Sequence, residues 1–486
     1  MRQKVLIWLG LALFAACSSP GAGGDGGATD DGSAVFDDAG PDTGGDDGIA
    51  DATVGDDARD GTDGGGDEDG GGDGADDGSS DRCAGMSGCA CLSSLLDDPQ
   101  RCAPEKSARL AQAVESLAAE MKAPCQGLDE AIFVYAGEAS SVAVAGEFNA
   151  WTGEALERLC GLNLWARRSS LPGRYSEYKL VIDGAWKLDP ANRAFAYDDF
   201  AGNVDGKNSV VNIPGSNHSH LEWWPGISST ELGNTRDLFV YVPANYRPEE
   251  ALTYPVLYMH DGQNIFDDSS CCFGNGGWQV NLAADQELAF GNVAPFFVVG
   301  IANTAARLDE YTMCVDTSQG EPFGGKAEAY ERFVLEVVMP LMEDSYRIDP
   351  AQRAIAGSSL GGTISMFIAL RHPELFRRGV GSLSGAFWVC QDSQQAVRDQ
   401  VSALPGRLAL PIYLDSGGDV SSNADGAADT LEVRNLLQAK GFSVSDAPPN
   451  QPCAENVDVC YYLEPDAPHN EIAWRERVWR MIRFLE

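Results

Sequence analysis

Ala354-Ile355-Ala356-Gly357-Ser358-Ser359-Leu360-Gly361-Gly362-Thr363 is the stretch that decides the fold of this 486-residue chain. Ala354-Ile355-Ala356 is a short apolar strand, and Thr363 to Leu370 reads as a helix. Between them, Gly357-x-Ser359-x-Gly361 puts a serine on a strand-to-helix turn. The glycines permit the tight, strained geometry that holds Ser359 Oγ clear of a sheet, so the segment reads as a nucleophile elbow. Outward from it, strands alternate with helices, the pattern of an α/β sheet. Leu238–Val242, Val256–His260 and Phe296–Gly300 are the buried strands before the elbow, and a long helix is predicted from Glu331 to Tyr346.

A serine nucleophile needs a base, and the base an orienting acid, in the chain order serine, acid, histidine. The chain has five histidines, so elimination is informative. His218 and His220 fall in a linker, His260 precedes the serine, and His372 closes the helix after the elbow. His469 remains, after the strand Cys460–Leu463 and before an amphipathic helix with Trp474, Val478 and Ile482. The acid is expected after the strand Pro411–Leu414. Asp419, past the pair Gly417-Gly418, is the first choice and Asp415 the alternative, while Asp425 and Asp429 read as solvated or helix-capping. The oxyanion donors are expected to be the backbone N–H of Leu360 and that of Gln263, in the loop His260-Asp261-Gly262-Gln263-Asn264.

This constellation resembles the esterase D family of α/β-hydrolases, which includes feruloyl, acetylxylan and enterochelin esterases and mycolyltransferases. Tyr241-Val242-Pro243, Tyr254–Gln263 and Gly300-Ile301-x-Asn303 with Arg307 and Glu310-Tyr311-Thr312 carry the resemblance, which covers residues 216–486. It implies a serine ester hydrolase without metal or cofactor. It also places Arg307 near the acyl pocket, a salt bridge holding the loop being the alternative for that residue.

Residues 127–215 read differently. Ile132–Tyr135, Val142–Ala145, Tyr178–Ile182 and Val210–Ile213 are short strands separated by Gly, Asn and Asp turns, a small β-sandwich. The run Val142-x-Val144-x-Gly146-Glu147-Phe148-Asn149-x-Trp151, with Tyr178-Lys179, Asp183-Gly184-x-Trp186 and Asp189-Pro190, resembles the glycogen-binding, early-set immunoglobulin-like module. That resemblance implies a sugar platform of Trp151, Trp186 and Lys179, with Asn208 nearby; indoles in the core, or a module that only shapes the active site, are the competing readings.

Before the sandwich, residues 83–126 form a Cys-rich collar around one helix, with Leu110, Val114, Leu117 and Met121 as its apolar stripe between Pro104 and Pro124. Residues 18–82 hold 20 acids against Arg59 and Arg82, together with 20 glycines, a composition expected to stay disordered. Residues 1–17 read as a secretory signal ending in Phe14-Ala15-Ala16-Cys17. This resembles a bacterial lipobox and implies lipidation of Cys17 on an outer-membrane or cell-surface protein; ordinary cleavage and secretion is the alternative. Setting Cys17 aside, twelve of 13 cysteines remain, enough for six disulfides in an oxidising compartment. Cys453 with Cys460 is an expected staple, and Cys271-Cys272 with Cys314 an expected clamp at the catalytic rim.

The formal charge of −39 argues against a nucleic-acid partner, since phosphate binding needs clustered cations. The expected substrate is an acyl ester of a carbohydrate or related natural product. A siderophore trilactone, acyl transfer to an alcohol other than water, and a non-catalytic glycan-binding lipoprotein are the alternatives. The oligomeric state is open.

Overall fold

The computed structural model describes residues 86–198, 200, 206–318 and 320–486. The expected signal, Cys17 and the polyacidic segment lie outside the described residues. No described helix is long and apolar enough to cross a membrane.

Helices Gly88–Leu96 and Pro104–Ala119 open the described chain. Pro104 takes the first helical turn, where its missing N–H costs nothing. Leu110, Val114 and Leu117 are buried as their spacing requires, but Met121 lies beyond the helix end at φ 52°. The strand Glu130–Ala136 explains how this collar is held. Its side chains alternate, so Ile132 and Val134 pack with Leu92, Leu110 and Val114 of the helices. Phe133, between them, faces the opposite way and packs with Val144, Tyr178 and Leu180. Cys89–Cys125 and Cys102–Cys160 staple the helices to this sheet.

The segment from Cys125 to Asn212 is a two-sheet sandwich. One sheet has four strands, in the order Cys125–Gln126, Glu130–Ala136, Leu164–Ser170, Glu157–Arg158. The other contains Val142–Gly146, Tyr175–Ile182 and Lys207–Asn212 and does not stop there. Ala194–Tyr197 pairs with Lys207–Asn212 on one side and, through Phe195 opposite Leu221, with the first strand of the C-terminal half on the other. One continuous sheet thus runs through both halves, and His220, expected in a linker, opens a strand instead.

The C-terminal strands are β1 (His220–Ser229), β2 (Asn234–Val242), β3 (Tyr254–His260), β4 (Phe297–Ile301), β5 (Ile348–Ser358), β6 (Gly379–Leu383), β7 (Ile412–Gly418), β8 (Val444–Asp446) and β9 (Val459–Pro465). Their spatial order is 1-2-4-3-5-6-7-9-8, antiparallel across β1-β2-β4 and parallel from β4 onward. Every residue of β3, β4, β6 and β7 is buried; β3 and β4 accordingly read as nearly unbroken apolar runs, whereas β6, with two glycines and Ser382, carries no such run and β7 ends in Asp415-Ser416-Gly417-Gly418. Helices α1 (Leu360–Arg371) and α2 (Ala427–Ala439) cover one face through Ile364, Ile368, Val433 and Leu437. Helix α3 (Glu471–Leu485) covers the other through Trp474, Val478 and Met481. The helix predicted over 331–346 is present from Ala327 to Ser345, with a π-helical stretch at Phe333–Val338. The architecture is that of an α/β-hydrolase, and its parallel strands all end on the side where the candidate site lies.

Candidate active site

Ser359 stands at the end of β5 and caps α1 with φ 52° and ψ −124°, a conformation that L-residues adopt only under constraint, at a cost of about 1–3 kcal/mol. The constraint is visible on both sides. Ser359 N–H donates to Leu383 O at 3.0 Å, and Ser359 O accepts from Ala386 N at 3.0 Å and from Thr363 N at 3.1 Å. Gly357 is required because a Cβ there would meet the Gly361 carbonyl carbon at 2.7 Å. The elbow expected from the sequence is therefore formed, with Ser359 half-buried at the carboxyl end of the central strand β5.

The histidine expectation meets a definite partner. His469, in the loop between β9 and α3, points Nδ1 at Asp425 Oδ1, 2.5 Å away, with its side chain 33% exposed and that of Asp425 2%. The first-choice acid is corrected here: Asp419 does not reach His469. It is exposed, its carboxylate accepts from Ser421 N and Oγ at 2.8 and 2.6 Å, and these bonds hold it below the usual carboxylate range. Asp415 is not the partner either; it is buried against Arg477 Nη2 (3.2 Å) and Tyr413 OH (2.9 Å), and burial pushes its carboxyl up. Asp429 accepts from Asn423 Nδ2 at 2.9 Å.

By sequence Asp425 reads as a solvated or helix-capping residue, and the local backbone shows why it is neither. Asn423, Asp425 and Gly426 all have positive φ (55°, 54° and 70°), so the loop coils back and returns Asp425 to the sheet before α2 begins. A signal was present in the sequence: Asp419-x-Ser421 is a pattern that closes an Asx turn on itself, whereas Asn423-Ala424-Asp425-Gly426 carries left-handed formers. Burial pushes the Asp425 carboxyl up. The hydrogen bond and charge of His469, with donors from Ser384 Oγ and Gly417 N–H, outweigh it and hold the group below the usual range.

The remaining histidines are engaged elsewhere. His372 Nε2 lies 2.6 Å from Glu331, His220 sits between Asn212 and Glu222, and His218 stacks on Tyr175. His260 is fully buried, with Nδ1 2.9 Å from Tyr330 OH and Nε2 lacking a hydrogen-bond partner. Burial lowers its pKa to about 3, helped by the charges of Arg307 and Arg236 against the pull of Asp261. That value lies below the unfolded one, so the unfolded chain takes up the proton first as pH falls. The neutral imidazole therefore contributes its full stability above about pH 6.5 and loses it progressively down to about pH 3, by at most about 1.4 kcal/mol per pH unit. Thermal melts from pH 7 to pH 4 should show Tm falling more steeply for wild type than for His260→Gln; parallel curves would contradict this.

The loop after β3 abuts the elbow: a Cβ on Gly361 would lie 3.1 Å from Asp261 Oδ2. Gly262 touches β4 so closely that a Cβ would stand 2.4 Å from the Gly300 carbonyl carbon. Asp261, at φ 60°, is clamped by Arg307 (Nε to Oδ1 2.7 Å, Nη2 to Oδ2 2.8 Å) and by Asn303 Nδ2 at 2.6 Å. Arg307 is thus placed in the buried salt bridge that was its alternative reading. The N–H groups of Gly262 and Asn264 are committed to Ile301 O and Asp261 O, and Gln263 Oε1 accepts from Asn303 N at 3.0 Å.

Disulfides tie down loops at both ends of the sheet, Cys460 lying at the start of β9, away from the site. Cys453–Cys460 forms as expected, but the clamp does not: Cys271 pairs with Cys272, and Cys314 pairs with Cys390 across the loops that follow β4 and β6. Among the described residues, the one group of side chains close enough to share a metal ion is Cys314, Asp316 and Cys390, and both of its sulfurs are in that disulfide.

On the sandwich, Trp151 and Trp186 come together, 36% and 46% exposed with ring centroids 6.2 Å apart. Trp186 follows the turn Asp183-Gly184, both at positive φ, and pairs with Val181 on the outer face. Lys179 shares that face but is buried, and Asn208 beside it is spent on Glu177 and Asp198, each at 2.8 Å.

Residues 229–484, more than half of the chain, match the family described as "Putative esterase". The uncharacterised protein YbbA of Bacillus subtilis is 27% identical over 223 residues, 45% of this chain and 83% of that protein. An endo-1,4-beta-xylanase/feruloyl esterase of Xylanibacter ruminicola is 26% identical over 333 residues, 65% of this chain and 38% of that protein. Ferri-bacillibactin esterase of B. subtilis is 26% identical over 199 residues, 38% of this chain and 63% of that protein. The chain spans less than two thirds of these last two relatives. Among solved structures, a ferulic acid esterase is 17% identical, with 56% of this chain and 98% of that chain covered and a TM-score of 0.41. With its elbow serine, His469 and Asp425 all inside the matched region, the chain belongs to that esterase family and is an ester-hydrolysing enzyme.

Proposed function

We propose that this is a serine carboxylic-ester hydrolase acting on an acyl ester of a carbohydrate or related natural product. The observation that carries the reading is the strained Ser359 on its strand–helix turn together with the buried Asp425 at 2.5 Å from His469 Nδ1. In this reading Ser359 Oγ attacks the ester carbonyl and His469 takes its proton, then delivers it to the leaving alcohol. Asp425 holds the imidazole tautomer and stabilises the imidazolium. The amides of Leu360 and Gln263 receive the oxyanion, with Asp261 and Arg307 fixing the second of these loops. Water then cleaves the acyl-enzyme; no step needs a cofactor.

The substrate class rests on two supports. The likeness to the xylanase/feruloyl esterase covers 65% of this chain, more than residues 229–484 can supply, so it reaches into the sandwich. The exposed Trp151–Trp186 pair offers flat apolar area of the kind that stacks on the C–H face of a sugar, as in the glycogen-binding type of immunoglobulin-like module. A siderophore trilactone is the second reading, favoured by the likeness to ferri-bacillibactin esterase. A panel of feruloyl and acetyl esters of xylo-oligosaccharides against a catecholate trilactone separates the two. We expect higher kcat/KM on the sugar esters, with KM for a feruloylated xylan raised about three- to tenfold by Trp186→Ala. Preference for the trilactone, or unchanged KM in the variant, would reverse the assignment. Lipidation at Cys17 would tether the enzyme to the cell envelope. Palmitate incorporation lost in Cys17→Ala is the expected result, and its absence from wild type the contrary one.

A further inference from the structure

We propose that Ser384 is a positioning residue for the acid of the triad, fixing the Asp425 carboxylate through a hydroxyl whose proton has a single direction open to it. The proposal rests on the Ser359–His469–Asp425 reading above.

Ser384 follows β6 at φ 48° and is buried, 1% exposed. Its Oγ donates to Asp425 Oδ2 at 2.5 Å and accepts from Trp474 Nε1 at 3.0 Å and Arg477 Nη2 at 2.9 Å. A hydroxyl has one proton and two lone pairs, whereas indole and guanidinium N–H groups only donate. With both lone pairs met, the proton can go to Asp425 alone. Asp425 Oδ2 also accepts from Gly417 N–H, so one oxygen is pinned by two donors and the other is left facing His469.

Trp474 links the parts. Its indole holds Ser384 and lies edge-on to the His469 ring, with centroids 5.1 Å apart at 84°. Arg477, 1% exposed, supplies the cation that two buried carboxylates require, 3.2 Å from Asp415 and 3.9 Å from Asp425. The backbone finishes the connection, because Ser384 lies two residues before Ala386, whose N–H holds the Ser359 carbonyl. The loop after β6 therefore sets nucleophile and acid from one short segment. A pre-aimed carboxylate needs no reorganisation when the imidazolium forms, so the effect belongs to the chemical step and not to substrate binding.

The test is steady-state kinetics on a short-chain nitrophenyl ester, with the rate of fluorophosphonate uptake at Ser359, for Ser384→Ala and Trp474→Phe in wild-type and Asp425→Asn backgrounds. Ser384→Ala should lower kcat roughly 10- to 30-fold, with KM within about twofold, and Trp474→Phe, which frees one lone pair of Ser384 Oγ and keeps an aromatic ring beside His469, roughly threefold. In the Asp425→Asn background the Ser384→Ala loss should shrink to less than about twofold, because residues acting through one another are not additive. An unchanged kcat, or the same loss with Asp425 already replaced, would overturn the proposal. If Ser384→Ala does not fold, Trp474→Phe decides by the same criterion. Wild type that takes up no fluorophosphonate at Ser359 would remove the triad reading and this proposal together. Wild type that labels while Ser384→Ala labels equally fast would overturn this proposal alone.

Discussion

Ser359→Ala should lower kcat on a short-chain nitrophenyl ester by roughly 10⁵-fold or more, with a melting temperature equal to or above that of wild type. The size of the loss follows from the proposed mechanism: with no Oγ there is no covalent route and no proton for His469 to take, and only binding and the proposed oxyanion amides would remain. The sign of the stability effect follows from the backbone. Ser359 is held at φ 52° by bonds to Leu383, Ala386 and Thr363 that involve its main chain alone, so alanine keeps all of them. A variant retaining more than about 1% of kcat would mean that another group is the nucleophile.

Asp425→Asn should lower kcat by roughly 10³- to 10⁴-fold, and Asp419→Asn should change it by less than about twofold. Asparagine in place of Asp425 presents either an amide donor to His469 Nδ1, forcing the wrong tautomer, or a neutral oxygen that no longer stabilises the imidazolium. Its other end would meet Ser384 Oγ and Gly417 N–H, both donors, so the amide oxygen is drawn there and the NH₂ toward His469. The Asp419 carboxylate contacts only its own turn, and its loss is local. Equal losses in the two variants, measured with the same substrate at the pH optimum, would contradict the assignment.

What the sequence revealed follows from the range of the forces involved. The elbow was legible because its constraint is local: Gly357, Ser359 and Gly361 need only a strand before and a helix after. His469 was reached by elimination among five histidines, and it is the one whose ring meets the buried Asp425 carboxylate. Parallel strands β3 and β4 were legible because burial on both faces leaves no polar alternation, whereas β6 (Gly379–Leu383) and β8 (Val444–Asp446), short and poor in large apolar residues, were not. The burial of Asp425 was not legible because it depends on a chain reversal through Asn423, Asp425 and Gly426, which brings it to β7 and to His469 rather than to its sequence neighbours. The hub of Ser384, Trp474 and Arg477 was missed for the same reason; its members meet only when β6 and α3 pack together. The joining of sandwich and catalytic sheets through Phe195 opposite Leu221 was equally hidden, since Ala194–Tyr197 is a four-residue strand with no distinctive pattern. The cysteine count pointed to disulfides, but which thiols met was a matter of tertiary distance, as Cys314–Cys390 across 76 residues illustrates.

The most direct test of the central claim is the mass of the intact protein after treatment with a fluorophosphonate, followed by mapping of the modified peptide. A single adduct on Ser359 in wild type, absent from Ser359→Ala and formed at least about a hundredfold more slowly in Asp425→Asn, is the predicted result. An adduct that persists in Ser359→Ala, or a wild-type protein that takes up none, would contradict it.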